Sequence, residues 1–338
     1  MSRNTRPRSK VSPFGDRRQG TDRNRAAVDW IEAQLKSFEC TNTERITYQY
    51  EPPAGRGGGG GRGRGGAGTT AAGGGRPRGI RARTGVNTDP NAQPDLTLRE
   101  LNSQPTAPGE RQEVFCTKIG ATHPEEMYII GGHMDGHGWG EAANDDGSGT
   151  ALVMEVARVF SSPDVRTERS IRFVLWNNEE TGSQGARAYI AQRRDRQGNE
   201  DPPGSGTYPE PKWLGLVQHD IMLFDHGMPR EDGTVSKEQR PEADVNIEFQ
   251  ASSLRENERG TQIGSGWDPQ WHQPTDLYVT YSEKDFRLGL NAAQTTLGGG
   301  GTADRHETES NRRQTLRIVR LRWSSSCASR YPANGGAR

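Results

Sequence analysis

Residues 170–182, SIRFVLWNNEETG, set an apolar run directly against acids and amides, and that junction constrains the fold more than any other part of the 338-residue chain. A run so apolar reads as a central strand covered on both faces, with its acids at the carboxyl end. EVFCTKI and EMYIIGG read as two more such strands, while GTALVMEVARVF and GARAYIAQRR carry apolar residues at helical spacing beside them. WLGLVQHDIMLF and ADVNIEF extend the strand set, and EKDFRLGLNAAQTTL predicts a late helix. Strands alternating with helices specify an α/β fold with a mixed, mostly parallel central sheet flanked by helices. Ahead of it, the segment through Ala27, Trp30, Ile31, Leu35 and Phe38 predicts a helix capped by Thr21 or Asp22, and ERITYQY alternates like a strand.

Not all of the chain can join this core. Hydrophobic residues are 30%, mean hydropathy is −0.95 and there are 44 Gly, so part of the length buries too little apolar surface to offset chain entropy. That part is placed at 1–16, at a Gly/Arg-rich insertion of about 54–95, and at a tail of 300–338. The domain is read as 17–299 around the insertion. Arg-Gly tracts bind single-stranded nucleic acid when aromatics are interleaved, and AGRGGGGGRGRGGAG has none, so it reads as a flexible linker. His306, in the tail, has no organised neighbours.

Lys plus Arg and Asp plus Glu both number 44, so no global field selects nucleic acid or an acidic surface as partner. No run approaches the length of a membrane span, and no apolar stretch follows the basic start, so the chain is expected to be soluble and unexported. Cys40, Cys116 and Cys327 are odd in number and scattered, which fits neither a disulfide framework nor a thiolate metal site. Any metal is expected on His, Asp and Glu.

Those residue types gather at strand ends. EMYIIGGHMD puts His133 and Asp135 just past a strand's carboxyl end, where open α/β sheets bind ligands, and Asp135 is spaced to hold the imidazole. Asp145 and Asp146 precede a helix, where capping accounts for one carboxylate and leaves the other free. Glu179 and Glu180 follow the most apolar strand, and adjacent residues point different ways, so one can bind metal while its neighbour moves protons. His219 and Asp220 interrupt a third apolar run, with Asp225 and His226 as competing candidates, and His272 lies in a Pro-bearing loop.

The order HMD, NDDGSG, NNEETG, HD and WHQPTD resembles the M28 family of co-catalytic zinc aminopeptidases, over about Arg17 to Gly299 apart from the insertion. The resemblance implies a zinc-dependent exopeptidase fold of the phosphorylase/hydrolase-like kind and a peptidase that removes amino-terminal residues from peptides with a free N-terminus. It implies two zinc ions: His133 and Asp220 on one, Glu180 and His272 on the other, Asp145 bridging, Glu179 as general base and Asp135 orienting His133. It also implies a cis bond between Asp145 and Asp146. A carboxylate and imidazole donor set without thiolate agrees with hydrolytic zinc. Other activities of the family are carboxypeptidase and glutaminyl cyclase, and a zinc-holding but inactive relative is the further alternative. Residues 221–271 are short for the family, and Trp271 stands where some members have Tyr.

Overall fold

The computed structural model describes residues 14–40, 42–52, 86–224, 268 and 270–302. Helix α1, Asp22–Ser37, starts where the side chain of Thr21 accepts a hydrogen bond from the Asn24 backbone N–H. Strand β1, Glu44–Tyr50, follows, and the short helix α2, Leu96–Asn102, is capped by Asp95. Then come β2, Gly109–Lys118; β3, His123–His133; helix α3, Gly147–Phe160; β4, Arg169–Trp176; helix α4, Gln184–Arg193; and β5, Lys212–Gln218. Helix α5 is Glu283–Thr302.

The 5-stranded sheet has the order β1-β2-β4-β3-β5. β3 pairs in parallel with β4 and β5, whereas β2 is antiparallel to both β1 and β4. All strands except β2 therefore point one way, as the sequence pattern requires, and β4, the most apolar run, lies in the middle. Successive residues of β4 face opposite sides. Ile171, Phe173 and Leu175 join Val28, Ile31, Leu35, Val153 and Phe160 on the side of α1 and α3. Val174 and Trp176 join Phe115 and Tyr189 on the side of α4. Burial of each such side chain contributes about 1.5–3 kcal/mol.

Four sequence expectations change. Cys40 and Cys116 form a disulfide, with Cα atoms 5.9 Å apart, tying the end of α1 to β2. Their separation of 76 residues hid a pairing that only the packing of α1 on the sheet creates. β5 ends at Gln218, so His219 and Asp220 stand past a strand and not within one. Asp16, expected in a loose terminus, is buried and paired with Arg23 at 2.6 Å. Finally, the expected insertion lies outside the described residues only through Gly85; residues 86–95 include a turn of 3-10 helix at Pro90–Ala92, and Gln93 is fully buried. The expected strand ADVNIEF, the candidates Asp225 and His226, His306 and most of the tail lie outside the described residues. No helix among the described residues is long and apolar enough to cross a membrane.

Candidate metal centre

The carboxyl ends of β3, β4 and β5 and the amino end of α3 converge, and each delivers polar side chains. His133 is the last residue of β3, and its imidazole is buried. Its backbone is held from both sides: its N–H donates to Asp146 Oδ2 at 3.0 Å, and its carbonyl accepts from Thr150 Oγ1 at 2.7 Å. The other oxygen of Asp146 caps α3, accepting from the Gly149 N–H at 2.7 Å. Thus the sequence ambiguity between the two aspartates resolves by division of labour, with Asp146 serving backbone and Asp145 facing the cluster. The peptide bond between them is cis, as the family resemblance implies.

The close approach here explains part of the glycine content. A Cβ on Gly149 would lie 2.4 Å from Asp146 Oδ2 and 2.5 Å from the His219 carbonyl. Gly138 has φ +101°, and a Cβ there would lie 2.4 Å from the His272 backbone. Both positions need the backbone itself to be the contact surface.

Asp145 spans the cluster. Its Oδ1 is 3.2 Å from His133 Nε2 and its Oδ2 is 2.9 Å from His272 Nε2. His133 Nε2 also faces Asp220 Oδ1 at 3.6 Å and Glu179 Oε2 at 4.0 Å. His272 Nε2 is 2.9 Å from Glu180 Oε2. The five residues expected to bind metal therefore form one connected cluster through Asp145 and His133, and groups of three ligand atoms within 4.8 Å of one another occur at His133, Asp145 and Glu180, and at His133, Asp146 and Asp220.

Asp135 departs from its expected contact. His133 Nδ1 is 2.9 Å from the Asp135 carbonyl and 3.7 Å from its carboxylate. Asp135 Oδ1 instead accepts the Glu179 backbone N–H at 3.0 Å, so this side chain ties the β3 end to the β4 end.

Burial opposes a charged His133, yet Asp135, Asp145 and Asp220 together hold its proton well above the usual imidazole range. His272 is likewise opposed by burial but raised to about 9 by Glu180 and Asp145. Burial pushes up Glu180, and the larger combined pull of His137 and His272 brings it to about 2 despite Asp145. Burial lifts Glu179 to about 7 against the pull of His133, with Glu180, Asp220 and Asp135 adding repulsion. His219 is different: fully buried beside Thr296 Oγ1 at 3.1 Å, it is lowered to about 4 by desolvation alone and remains neutral outside the cluster.

Sequence reasoning missed two contributors. His137 Nε2 is 3.1 Å from Glu180 Oε2, and its ring meets that of His272 edge-on with centroids 4.0 Å apart. Asp276, fully buried, accepts the backbone N–H of Asn144 at 2.8 Å and of Asp145 at 3.1 Å, and Tyr281 links it to Asp268. Asp276 lies in the quoted WHQPTD, but no spacing rule marks a carboxylate that serves a backbone 131 residues away. Trp271 stacks on His272, with centroids 3.7 Å apart. Behind them, Asn87 donates its backbone N–H to the His272 carbonyl at 3.0 Å, and Gln93 bonds the carbonyls of Trp139 and Pro274.

The donor set fits a hydrolytic divalent metal. Buried Glu180 Oε1, Asp220 Oδ1 and His272 Nε2 make no hydrogen bond among the described residues, although buried polar atoms are nearly always paired. Among the described residues there is no free thiol, since Cys40 and Cys116 are joined to each other. Imidazole and carboxylate donors of this kind suit zinc.

Residues 114–201 match the model of Peptidase family M28. Carboxypeptidase Q of Xenopus laevis is 34% identical over 83 residues, covering 25% of this chain and 18% of that protein. Aminopeptidase YwaD of Bacillus subtilis is 38% identical over 68 residues, covering 20% of this chain and 14% of that protein. The chain thus matches less than a fifth of the length of these curated relatives. Among solved structures, a zinc aminopeptidase from Bacillus subtilis aligns with a TM-score of 0.47 at 14% identity, covering 85% of this chain and 92% of that one. The M28 resemblance drawn from the motifs therefore meets a family match that includes His133, Asp135, Asp145, Glu179 and Glu180; Asp220 and His272 lie outside the matched residues.

Proposed function

We propose that this chain, with an M28 peptidase segment at its centre, is a zinc-dependent exopeptidase that releases amino-terminal residues from peptides. His133 and Asp220 would hold one ion and Glu180 and His272 a second, with Asp145 placed to contribute to both. The observation that carries this reading is the convergence of unpartnered buried polar atoms from Glu180, Asp220 and His272 upon the two oxygens of Asp145 and the Nε2 of His133. A cluster of this kind is costly unless something binds it.

Zinc in such a site supplies Lewis acidity to a carbonyl and acidifies water. The chain's own residues do the rest. Asp145 presents one oxygen to each half, and Asp276 fixes its backbone from beneath. Glu179 is the group with access: its side chain is 39% exposed, whereas that of Glu180 is 7% exposed. With its backbone anchored by Asp135, its carboxylate takes the proton from water and delivers it to the departing amine. Neighbouring glutamates at one strand end thus take different work, one inward to metal and one outward to substrate.

A second reading, removal of carboxyl-terminal residues, is favoured by the 34% identity to a protein named carboxypeptidase Q. One experiment separates them. Peptides blocked at either end are offered to the zinc-loaded protein, and released amino acids are identified. Release from a peptide with a free N-terminus only, lost with a chelator and reduced about 10²- to 10⁴-fold in Glu179→Gln, is the expected result. Release only from free C-termini selects the second reading. Undiminished turnover in the variant overturns the mechanism.

A further inference from the structure

We propose that His137 is an additional protein ligand of the ion held by Glu180 and His272, making the two metal positions unequal: one closed by protein, the other open to substrate. The inference rests on the two-zinc reading and adds a residue to it. His137, Glu180 and His272 form a third group whose ligand atoms lie within 4.8 Å of one another.

Both imidazoles stand at hydrogen-bond distance from Glu180, close to the spacing of ligands on one ion, so geometry and not length decides between the two. His137 Nε2 and His272 Nε2 lie 3.1 Å and 2.9 Å from the same oxygen, Glu180 Oε2. Ligand atoms of a tetrahedral zinc with bonds of about 2.0–2.1 Å stand about 3.3 Å apart. Yet among the described residues both nitrogens, though buried, lack hydrogen-bond geometry to any partner, and so does Glu180 Oε1. Three orphaned donor atoms around one point are what remains when the partner they are built for is a cation.

Nor is His137 there by accident of a loose loop. Its ring stands perpendicular to that of His272, 4.0 Å away, and Gly138 next to it rests against the His272 backbone through its positive φ. One residue further, the Trp139 carbonyl accepts from buried Gln93, which also holds Pro274 near His272. Loop 137–139 and loop 272–274 are therefore clamped face to face.

With Asp145 Oδ2 at 2.9 Å from His272 Nε2, the closed position has four protein donors: His137, Glu180, His272 and Asp145. The other has His133, Asp220 and Asp145. Sites with four protein ligands hold zinc structurally, and those with three keep a position for water or substrate. The Glu180 position should thus be the tight, organising one and the Asp220 position the working one.

The test is zinc affinity of the full chain, read with a chromophoric chelator on metal-free protein reloaded with zinc alone. Wild type should take up two equivalents of unequal affinity. His137→Ala and His137→Gln should weaken the tighter equivalent at least about 10-fold and leave the weaker one within about twofold. Two unchanged equivalents in a folded variant overturn the role of His137 while leaving the peptidase reading in place. Absence of zinc uptake by wild type overturns both. A measurement on wild type guards against misfolded variants: cobalt-loaded protein should show three hyperfine-shifted, exchangeable imidazole N–H resonances in proton NMR, and two would overturn the proposal.

Discussion

Strand β4 serves two buried charge clusters that are built on opposite principles. At its middle, Arg172 lies in the core, with Nε donating to Thr117 Oγ1 at 2.9 Å and Nη2 to the Pro209 carbonyl at 3.0 Å. Its Nη1 pairs with Glu210, whose other oxygen accepts from Tyr189 at 2.7 Å, and the guanidinium lies 4.3 Å from the Phe115 ring centroid. No buried side-chain atom of Arg172, Tyr189 or Glu210 is left unpartnered. Just past the same strand, Glu180 faces His137 and His272 with orphaned atoms on each. Both clusters bury charge; only the first is complete by itself. The difference separates a charge that holds the fold from charges that wait for a ligand.

The comparison breaks if the complete cluster proves dispensable. Glu210→Ala strands the Arg172 guanidinium in the core and should cost up to about 5 kcal/mol in guanidinium unfolding, with or without zinc. A loss below about 1 kcal/mol would mean that full pairing in this structure does not signal structural weight. Next in size is the Cys40–Cys116 disulfide, which closes a loop of 76 residues and anchors α1 on the sheet face opposite Arg172. Replacing both cysteines with Ala should lower stability by about 4 kcal/mol. It should leave zinc stoichiometry unchanged, because neither sulfur touches the metal cluster.

How much of this was legible beforehand follows the range of the interactions. β4 and α3 could be read because their apolar periodicity is local, and His133, Glu180 and His272 could be read because each stands beside a recognisable pattern. The disulfide, Asp276 beneath Asp145 and His137 beside Glu180 depend on segments brought together by packing, and no local pattern announces them. The sequence pattern carries β5 past its end at Gln218 because apolar residues continue on both sides of His219 and Asp220. Met222 and Leu223 are indeed buried, but their backbone N–H groups bond Ser148 and Asn144 and not a neighbouring strand. Residues 86–95 read as part of the insertion through their polar, Pro-bearing composition, whereas buried Gln93 belongs to the fold by satisfying two carbonyls.

Glu113 on β2 is a buried carboxyl with no cation against it among the described residues. Its Oε2 accepts the Asn177 N–H at 3.3 Å and its Oε1 has no partner. Burial pushes it up to about 8, the Asn177 N–H opposes this, and Asp135 adds repulsion. The sign follows from proton binding: between the ordinary carboxylate range and about pH 8, the unfolded chain has released this proton and the folded chain retains it. Its contribution to stability therefore falls as pH rises through that window, by about 1.4 kcal/mol per unit. Glu113→Gln should remove that slope. Parallel stability profiles for the two proteins from pH 5 to 8 would show that Glu113 ionises normally.

The smallest effect is the one that most sharpens the contrast, because its sign reverses. Glu179 sits beside Glu180, Asp220 and Asp135, its carboxylate repelled by all three and compensated chiefly by His133 at 4.0 Å. In the metal-free protein this is unfavourable crowding of like charge, so Glu179→Gln should raise stability at pH 8. The gain should be no more than about 1 kcal/mol, since the side chain is 39% exposed and water screens it. Removing a charge from the Arg172 cluster should be destabilising, whereas removing one here should be stabilising. The check is the denaturation midpoint of both metal-free proteins measured side by side. A loss of more than about 1 kcal/mol in Glu179→Gln would mean that Glu179 holds the fold together, and the distinction between the two ends of β4 would fail at its most exposed residue.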